Sequence, residues 1–387
     1  MNNKSNRLFA LDCLRGLTIA FMIIVNTPGS WSYIYSPLRH AKWHGCTPTD
    51  LVFPFFLFIV GVAMRFSFKQ YNYKPSANLI KKVFWRTVTI FTFGLMLNAY
   101  PFIRQDWDWS SLRIMGVLQR ISLAYGLASI ISLYIKDNEI SPYAKTNVVQ
   151  LKDNKIWIPC SIILIGYWFV LFLFGGNDPY GLNTNIVRTI DIALLGEKHL
   201  WLGNGVPFDP EGLLSTIPAT VTVLIGYYVG MLIQENENKS SLVNSLVIHA
   251  AQIAAIGWIW GFFFPINKPL WTSSYVLYTA GLATFFLALF IFLVDIKNYR
   301  KPFWPLMIFG TNSIFVFVGS GIWVKTILNI KFIFNGNLIS GYNYLYSSFF
   351  QPLAGNINGS LLFALTHVLL WWLILYWLYR KKIFIKI

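Results

Sequence analysis

Thr49-Asp50-Leu51-Val52-Phe53-Pro54-Phe55-Phe56-Leu57-Phe58-Ile59-Val60-Gly61-Val62-Ala63-Met64-Arg65-Phe66-Ser67-Phe68-Lys69 decides the fold class. This apolar run is long enough for a helix to cross a hydrocarbon core of about 30 Å. Similar runs recur at roughly 7–28, 82–99, 111–134, 156–174, 213–234, 244–265, 272–295, 303–325 and 360–379. Irregular backbone cannot face lipid, so these runs are expected to be helices. The reading is an all-α polytopic helical membrane protein of about ten transmembrane helices, with lipid bilayer as its surroundings. With 56% hydrophobic and only 12% charged residues among 387, a soluble domain is excluded. Residues 1–387 are expected to form a single transmembrane domain with no separate soluble domain.

A formal charge of +16 invites a nucleic-acid reading, but the cations alternate with the spans. Lys4 and Arg7 precede the first span. Lys69, Lys74, Lys81, Lys82 and Arg86 surround the second connection, and Lys136, Lys145, Lys152 and Lys155 fill the fourth. Lys297, Arg300 and Lys301 fill the eighth, and Arg380, Lys381, Lys382 and Lys386 close the chain. That asymmetry places both termini in the cytoplasm and makes a nucleic-acid partner unnecessary. Asp12 and Arg15 inside the first run, its length and the lack of a small-residue cleavage site argue against a cleaved signal peptide. Cys13, Cys46 and Cys160 give neither a disulfide framework nor a metal spacing.

Just before the quoted run stands Leu38-Arg39-His40-Ala41-Lys42-Trp43-His44-Gly45-Cys46-Thr47-Pro48, with two histidines and two cations against the entrance to the bilayer. An apolar helix needs no such prelude, whereas a base that meets a polar substrate at the membrane surface does. His40 and His44 are four apart, a metal-ligand spacing on a helix, but no third ligand stands at a recognisable distance, so no metal is expected. Asp50 can cap the following helix or fix a histidine tautomer.

Charges inside a span cost about 2.5–3.5 kcal/mol each on insertion scales, so each needs a partner or a task. Asp12 and Arg15, three apart, can pair, or Arg15 can serve an anionic cofactor. Arg113 and Arg120, seven apart, share a helix face; Arg120 is too deep to reach the surface and should face a polar cavity. Asn26 precedes Pro28 and Gly29, which should end the first helix and free backbone donors beside it. Asp209 and Glu211 precede the sixth span, where they complement its dipole or meet substrate. Gly226 and Gly230 have the spacing that lets helices approach closely, either within one subunit or between two.

Several blocks together resemble the heparan-α-glucosaminide N-acetyltransferase family, including its bacterial NagX-like members. They are Leu11-Asp12-Cys13-Leu14-Arg15-Gly16-Leu17-Thr18-Ile19, Val25-Asn26-Thr27-Pro28-Gly29, His40-Ala41-Lys42-Trp43-His44-Gly45 and Thr49-Asp50-Leu51-Val52-Phe53-Pro54. Gly116-Val117-Leu118-Gln119-Arg120, Asp209-Pro210-Glu211-Gly212-Leu213-Leu214, Leu270-Trp271-Thr272-Ser273-Ser274-Tyr275, Thr311-Asn312-Ser313-Ile314 and Tyr379-Arg380-Lys381-Lys382-Ile383-Phe384 follow in the same order. The large luminal domain of the animal members falls outside the resemblance.

The resemblance implies transfer of acetyl from cytosolic acetyl-CoA, as co-substrate, to the amine of a glucosamine-type sugar on the far side of the membrane. It places the catalytic histidine at His40 and an acyl-binding asparagine at Asn26; Asp50, read from its position as a tautomer-fixing group, joins them as a catalytic candidate. His44 departs from the asparagine of the family pattern. Arg120, Gln119, Arg15 and Lys386 are the candidates for binding CoA, and His44, Trp43, Asp209 and Glu211 for binding the acceptor. His40 would act as general base in a direct transfer or as an acetyl carrier. The Asn26 amide would stabilise the anionic acyl oxygen. An amino-sugar transporter, or an acyltransferase acting on another cell-surface glycan, would use the same polar cavity. The resemblance also suggests a homodimer and residence in a bacterial inner (cytoplasmic) membrane.

Overall fold

The computed structural model describes residues 8–102, 108–135, 155–334 and 336–385. The helices are α1 (Phe9–Asn26), α2 (Val52–Phe68), α3 (Ala77–Ala99), α4 (Val117–Tyr134), α5 (Trp157–Phe174), α6 (Ile186–Leu195), α7 (Leu213–Glu235), α8 (Lys239–Trp260), α9 (Ser273–Phe290), α10 (Arg300–Thr311) and α11 (Ser313–Asn329). An antiparallel hairpin follows, β1 (Lys331–Phe334) and β2 (Asn337–Ser340), with Lys331 opposite Ser340. Short α12 (Gly341–Leu345) and α13 (Gln351–Ala354) then lead into α14 (Asn356–Arg380). The protein is an all-α polytopic helical protein apart from that hairpin.

Among the described residues eight helices are individually long and apolar enough to cross a membrane, and α10 with α11 make a ninth if taken as one span bent by 71°. Of the ten runs read from sequence, the third is helical as α3 but more polar, with Lys81, Lys82 and Arg86 in its first half. The ninth is broken at Asn312, whose amide donates to the Ile383 carbonyl at 3.1 Å and accepts from the Ile385 backbone at 2.7 Å. The C-terminal tail is thereby tied into the break. The fourth run begins as extended chain, not helix: Asn98 Nδ2 donates to the carbonyls of Arg113 (2.9 Å) and Met115 (3.0 Å). Arg113 therefore does not share a helix face with Arg120, as the sevenfold spacing suggested.

The helices pack in pairs, α8 on α9, α2 on α7, α1 on α10 and α3 on α4, with α2 and α7 running in the same direction. Glycine sets two of these crossings. A Cβ on Gly61 would come within 1.9 Å of the Val223 carbonyl oxygen, and one on Gly226 within 2.1 Å of that of Phe58. Likewise a Cβ on Gly16 would meet the Leu306 carbonyl oxygen at 1.7 Å, and one on Gly310 that of Asp12 at 2.1 Å. Gly226 and Gly230, the latter against Arg65 and Val62, thus spend their small size inside the subunit.

The connections sort to two ends. At one end, Trp43 Nε1 donates to the Tyr180 carbonyl (2.8 Å), the Ile114 backbone to His199 (3.2 Å) and Tyr342 Oη to Pro28 (2.7 Å). Residues 175–212 fold over this end around α6, where Tyr167, Leu171, Val187, Phe208, Phe264 and Leu270 form a small separate core. At the other end Lys82 Nζ meets Ser67 Oγ (3.1 Å) and Lys239 Nζ the Asp295 carbonyl (3.5 Å). Lys4, Arg7, Lys136, Lys145 and Lys152 of the cation pattern lie outside the described residues.

Candidate active site at one end of the bundle

Thr47 and Asp50 form a capping box at the entrance to α2, each side chain accepting from the other's backbone. Asp50 Oδ2 receives the Ala41 N–H (3.0 Å), the Thr47 N–H (3.1 Å) and Thr47 Oγ (3.0 Å). These bonds fold the 40–50 loop around a carboxylate whose side chain is only 2% exposed. The remaining oxygen, Oδ1, lies 2.6 Å from His40 Nδ1. A carboxylate can only accept, so Nδ1 carries the proton and Nε2 of the neutral ring keeps its lone pair. The imidazole is 47% exposed, so that nitrogen belongs to an accessible ring. This is an oriented base at a surface.

The loop between α8 and α9 backs the histidine. The Gly45 N–H donates to the Ile266 carbonyl (2.7 Å), and Asn267 Nδ2 to the Trp43 carbonyl (2.9 Å). Asn267 Nδ2 also lies 3.3 Å from His44 Nδ1, and Tyr275 Oη donates to the Asp50 carbonyl (2.6 Å). From the same loop Lys268 Nζ reaches 3.5 Å from Asp50 Oδ1 and 3.3 Å from His40 Nδ1. Neither Asn267 nor Lys268 was singled out in the sequence. The one signal was a cation two residues before Leu270-Trp271-Thr272 at the mouth of an apolar run.

The other candidates are distributed as follows. Asn26 closes α1 and is exposed, and no hydrogen bond joins it to His40 among the described residues. Trp43 packs edge-on against Phe208 (5.5 Å) and braces the loop, while His44 is exposed beside it. Asp209 and Glu211 hold Arg113: Nε and Nη2 fork onto Asp209 at 2.8 and 2.7 Å, and Nη2 meets Glu211 at 2.6 Å. Burial would lower the Arg113 pKa, but these two acids hold it well above the usual range. Gln119 donates to the Ile114 carbonyl (2.9 Å) and fills the space left by Gly94. Arg15 donates to Asp12 (2.9 Å) and to the Gly310 carbonyl (3.1 Å) toward the opposite end. Lys386 lies outside the described residues.

Arg120 is fully buried. It donates to Ser215 Oγ and the Gly212 carbonyl, and its guanidinium lies 4.9 Å from the Trp271 ring. Its Nε and Nη1 have no hydrogen-bond partner among the described residues. Its surroundings are packed protein, not an open cavity. Beside it Asp191 of α6 caps α7 from outside, accepting from the backbone of Leu213 (3.0 Å) and Leu214 (3.4 Å). Gly212 leaves room for that carboxylate, since a Cβ there would meet Asp191 Oδ2 at 1.7 Å.

A cavity of about 710 Å³ opens between α3 and α11, lined by Lys82, Trp85, Arg86, Phe93 and Phe315 and bordered by Ile385 of the tail. Arg86 stacks 4.8 Å from the Tyr125 ring, and its buried Nε has no hydrogen-bond partner among the described residues. Two cations with aromatic neighbours suit a phosphate-bearing, ring-containing ligand. Among the described residues no group of three or more His, Cys, Asp or Glu is placed to hold a metal ion.

The bundle and its His40–Asp50 pair define an integral membrane protein with an accessible, carboxylate-oriented histidine at one end. Residues 7–146 match the family described as heparan-alpha-glucosaminide N-acetyltransferase, catalytic. The chain is similar to heparan-alpha-glucosaminide N-acetyltransferase of Homo sapiens, 29% identical over 420 residues, covering 98% of this chain and 60% of the relative. It is 28% identical to the Mus musculus protein of the same name over 425 residues, covering 100% of this chain and 61% of the relative. The chain is thus similar to heparan-α-glucosaminide N-acetyltransferases along nearly its whole length. The chain spans about 60% of the length of the curated relatives it matches.

Proposed function

We propose that the protein is a membrane-embedded acetyltransferase that moves acetyl from acetyl-CoA to the amine of a glucosamine-type sugar. The observation that carries this reading is the 2.6 Å contact between His40 Nδ1 and a buried, five-fold engaged Asp50, which leaves Nε2 as the free base. The relatives' names supply the acceptor class.

An amine attacks a thioester only through its lone pair. As the acceptor nitrogen bonds to the acetyl carbon, His40 Nε2 takes the proton from that nitrogen. The carbonyl oxygen becomes anionic, and the Asn26 amide at the exposed end of α1 is the proposed donor to it. The C–S bond then breaks with its electron pair leaving on the CoA sulfur. The imidazolium returns the proton to that thiolate or to water, giving amide and free CoA. Asp50 stabilises the imidazolium while it exists.

The donor would enter from the cytoplasmic side, with Lys82 and Arg86 of the α3–α11 cavity meeting its phosphates. Arg15 lies toward that same end, and the alternation of cations in the sequence assigns the C-terminal cluster that includes Lys386 to the cytoplasmic side. Trp43, His44 and the Arg113–Asp209–Glu211 cluster frame the acceptor's approach at the other. The protein is proposed to reside in a bacterial cytoplasmic membrane with both termini inside.

The deciding experiment supplies the purified protein with acetyl-CoA and glucosamine and follows release of the CoA thiol. Thiol release that requires the sugar supports the enzyme. Glucosamine flux into liposomes without acetyl-CoA consumption would replace it with a carrier.

A further inference from the structure

We propose that Lys268 is a positioning residue for His40, acting through Asp50; the proposal rests on the acetyltransferase reading above. Asp50 Oδ2 is saturated by Ala41 and Thr47, so Oδ1 alone is left to orient the histidine. Lys268 Nζ comes within 3.5 Å of that same oxygen. Ammonium and imidazole N–H are both donors, so they do not bond to each other across the 3.3 Å between them. Each is instead satisfied at Oδ1, and the carboxylate is held between the two.

The backbone around Lys268 is fixed on both sides. Asn267 Oδ1 accepts the Leu270 N–H (2.7 Å), Thr272 Oγ1 receives the Asn267 N–H (3.0 Å), and the Trp271 N–H returns to the Lys268 carbonyl (3.0 Å). A lysine that merely sought solvent would not be held this way with a side chain only 18% exposed. Its charge also offsets the burial of a carboxylate that is 2% exposed. Lys268 lies on the Nδ1 side of the ring, away from the nitrogen that meets substrate. It therefore supports the chemistry without touching the reacting atoms.

The test is a double-mutant cycle on the purified full chain, with acetyl-CoA and glucosamine as substrates. Lys268→Met should lower kcat about tenfold with little change in the KM for acetyl-CoA, and Lys268→Arg should recover most of the loss. In an Asp50→Asn background, Lys268→Met should cost nothing further, because the residue it acts through is gone. Additive losses, or full activity in Lys268→Met, would overturn the proposal. A parallel reading uses histidine-selective 15N labelling to observe the His40 Nδ1–H signal. It should shift in Lys268→Met and stay in place in Lys42→Met, and an unmoved signal in Lys268→Met counts against positioning. If the unmodified protein transfers no acetyl group, the acetyltransferase reading falls, and the His40 signal still decides whether Lys268 positions the ring.

Discussion

His40 Nδ1 and Asp50 Oδ1 stand 2.6 Å apart, and the same carboxylate closes the N-terminus of the 3-10 turn Pro48–Leu51 that leads into α2. The capping interaction that starts α2 is thus also the one that sets the histidine tautomer. Folding of the membrane helix and orientation of the base are coupled through one side chain.

Asp50→Asn separates these two duties. An amide can still accept the Thr47 and Ala41 donors, but its NH2 facing Nδ1 would favour the opposite tautomer and block Nε2. Acetyl transfer should fall by about 10²–10⁴-fold, the range of general base catalysis. The cap should lose no more than about 1 kcal/mol. Activity measured alongside melting temperature checks both; a large loss of stability with unchanged activity per folded molecule would reverse the assignment.

Arg120→Ala should act chiefly on stability. The side chain is enclosed by Gly212, Ser215 and Trp271, so its loss leaves a buried hydroxyl and carbonyl without their donor. A cost of about 2 kcal/mol or more is expected. CoA affinity, measured by calorimetry on the folded fraction, should change little. A selective loss of CoA affinity at unchanged melting temperature would move Arg120 into the donor site.

Asp191 predicts a pH dependence. Burial pushes its carboxyl up to about 6, against the opposing N–H groups of Leu214 and Leu213 and the Arg120 charge, and with the help of Asp209. The folded protein then holds a proton that the unfolded chain, at its ordinary 3.8, has released. Stability should therefore fall as pH rises from about 4 to about 6 and level off above. Asp191→Asn keeps an oxygen for the α7 cap but cannot ionise, and should flatten melting temperature across that window. An equally steep slope in the variant would assign the dependence to other groups.

The helical architecture was legible because lipid demands long apolar runs, and such runs survive in composition alone. Their ends were not. The chain at 112–116 lies inside the fourth apolar run, yet Asn98 holds it in extended form, a contact set by a residue on another span. The break at Asn312 is likewise made by the tail, far away in sequence. In the site, His40 and Asp50 stood out because they are polar groups at the edge of a span, ten residues apart. Lys268 and Asn267 did not, because they reach the histidine loop from more than 200 residues away. Gly226 and Gly230 show the same limit: the spacing reveals a close crossing, and only the fold shows that α2 is the neighbour.

The central claim is that His40 is the base of an acetyl transfer. Its most direct test is glucosamine-dependent release of CoA thiol by His40→Ala, with His44→Asn as the neighbouring control and CoA binding measured on both. His40→Ala should lose transfer while still binding CoA, and His44→Asn should keep most activity. Undiminished transfer in His40→Ala would contradict the account.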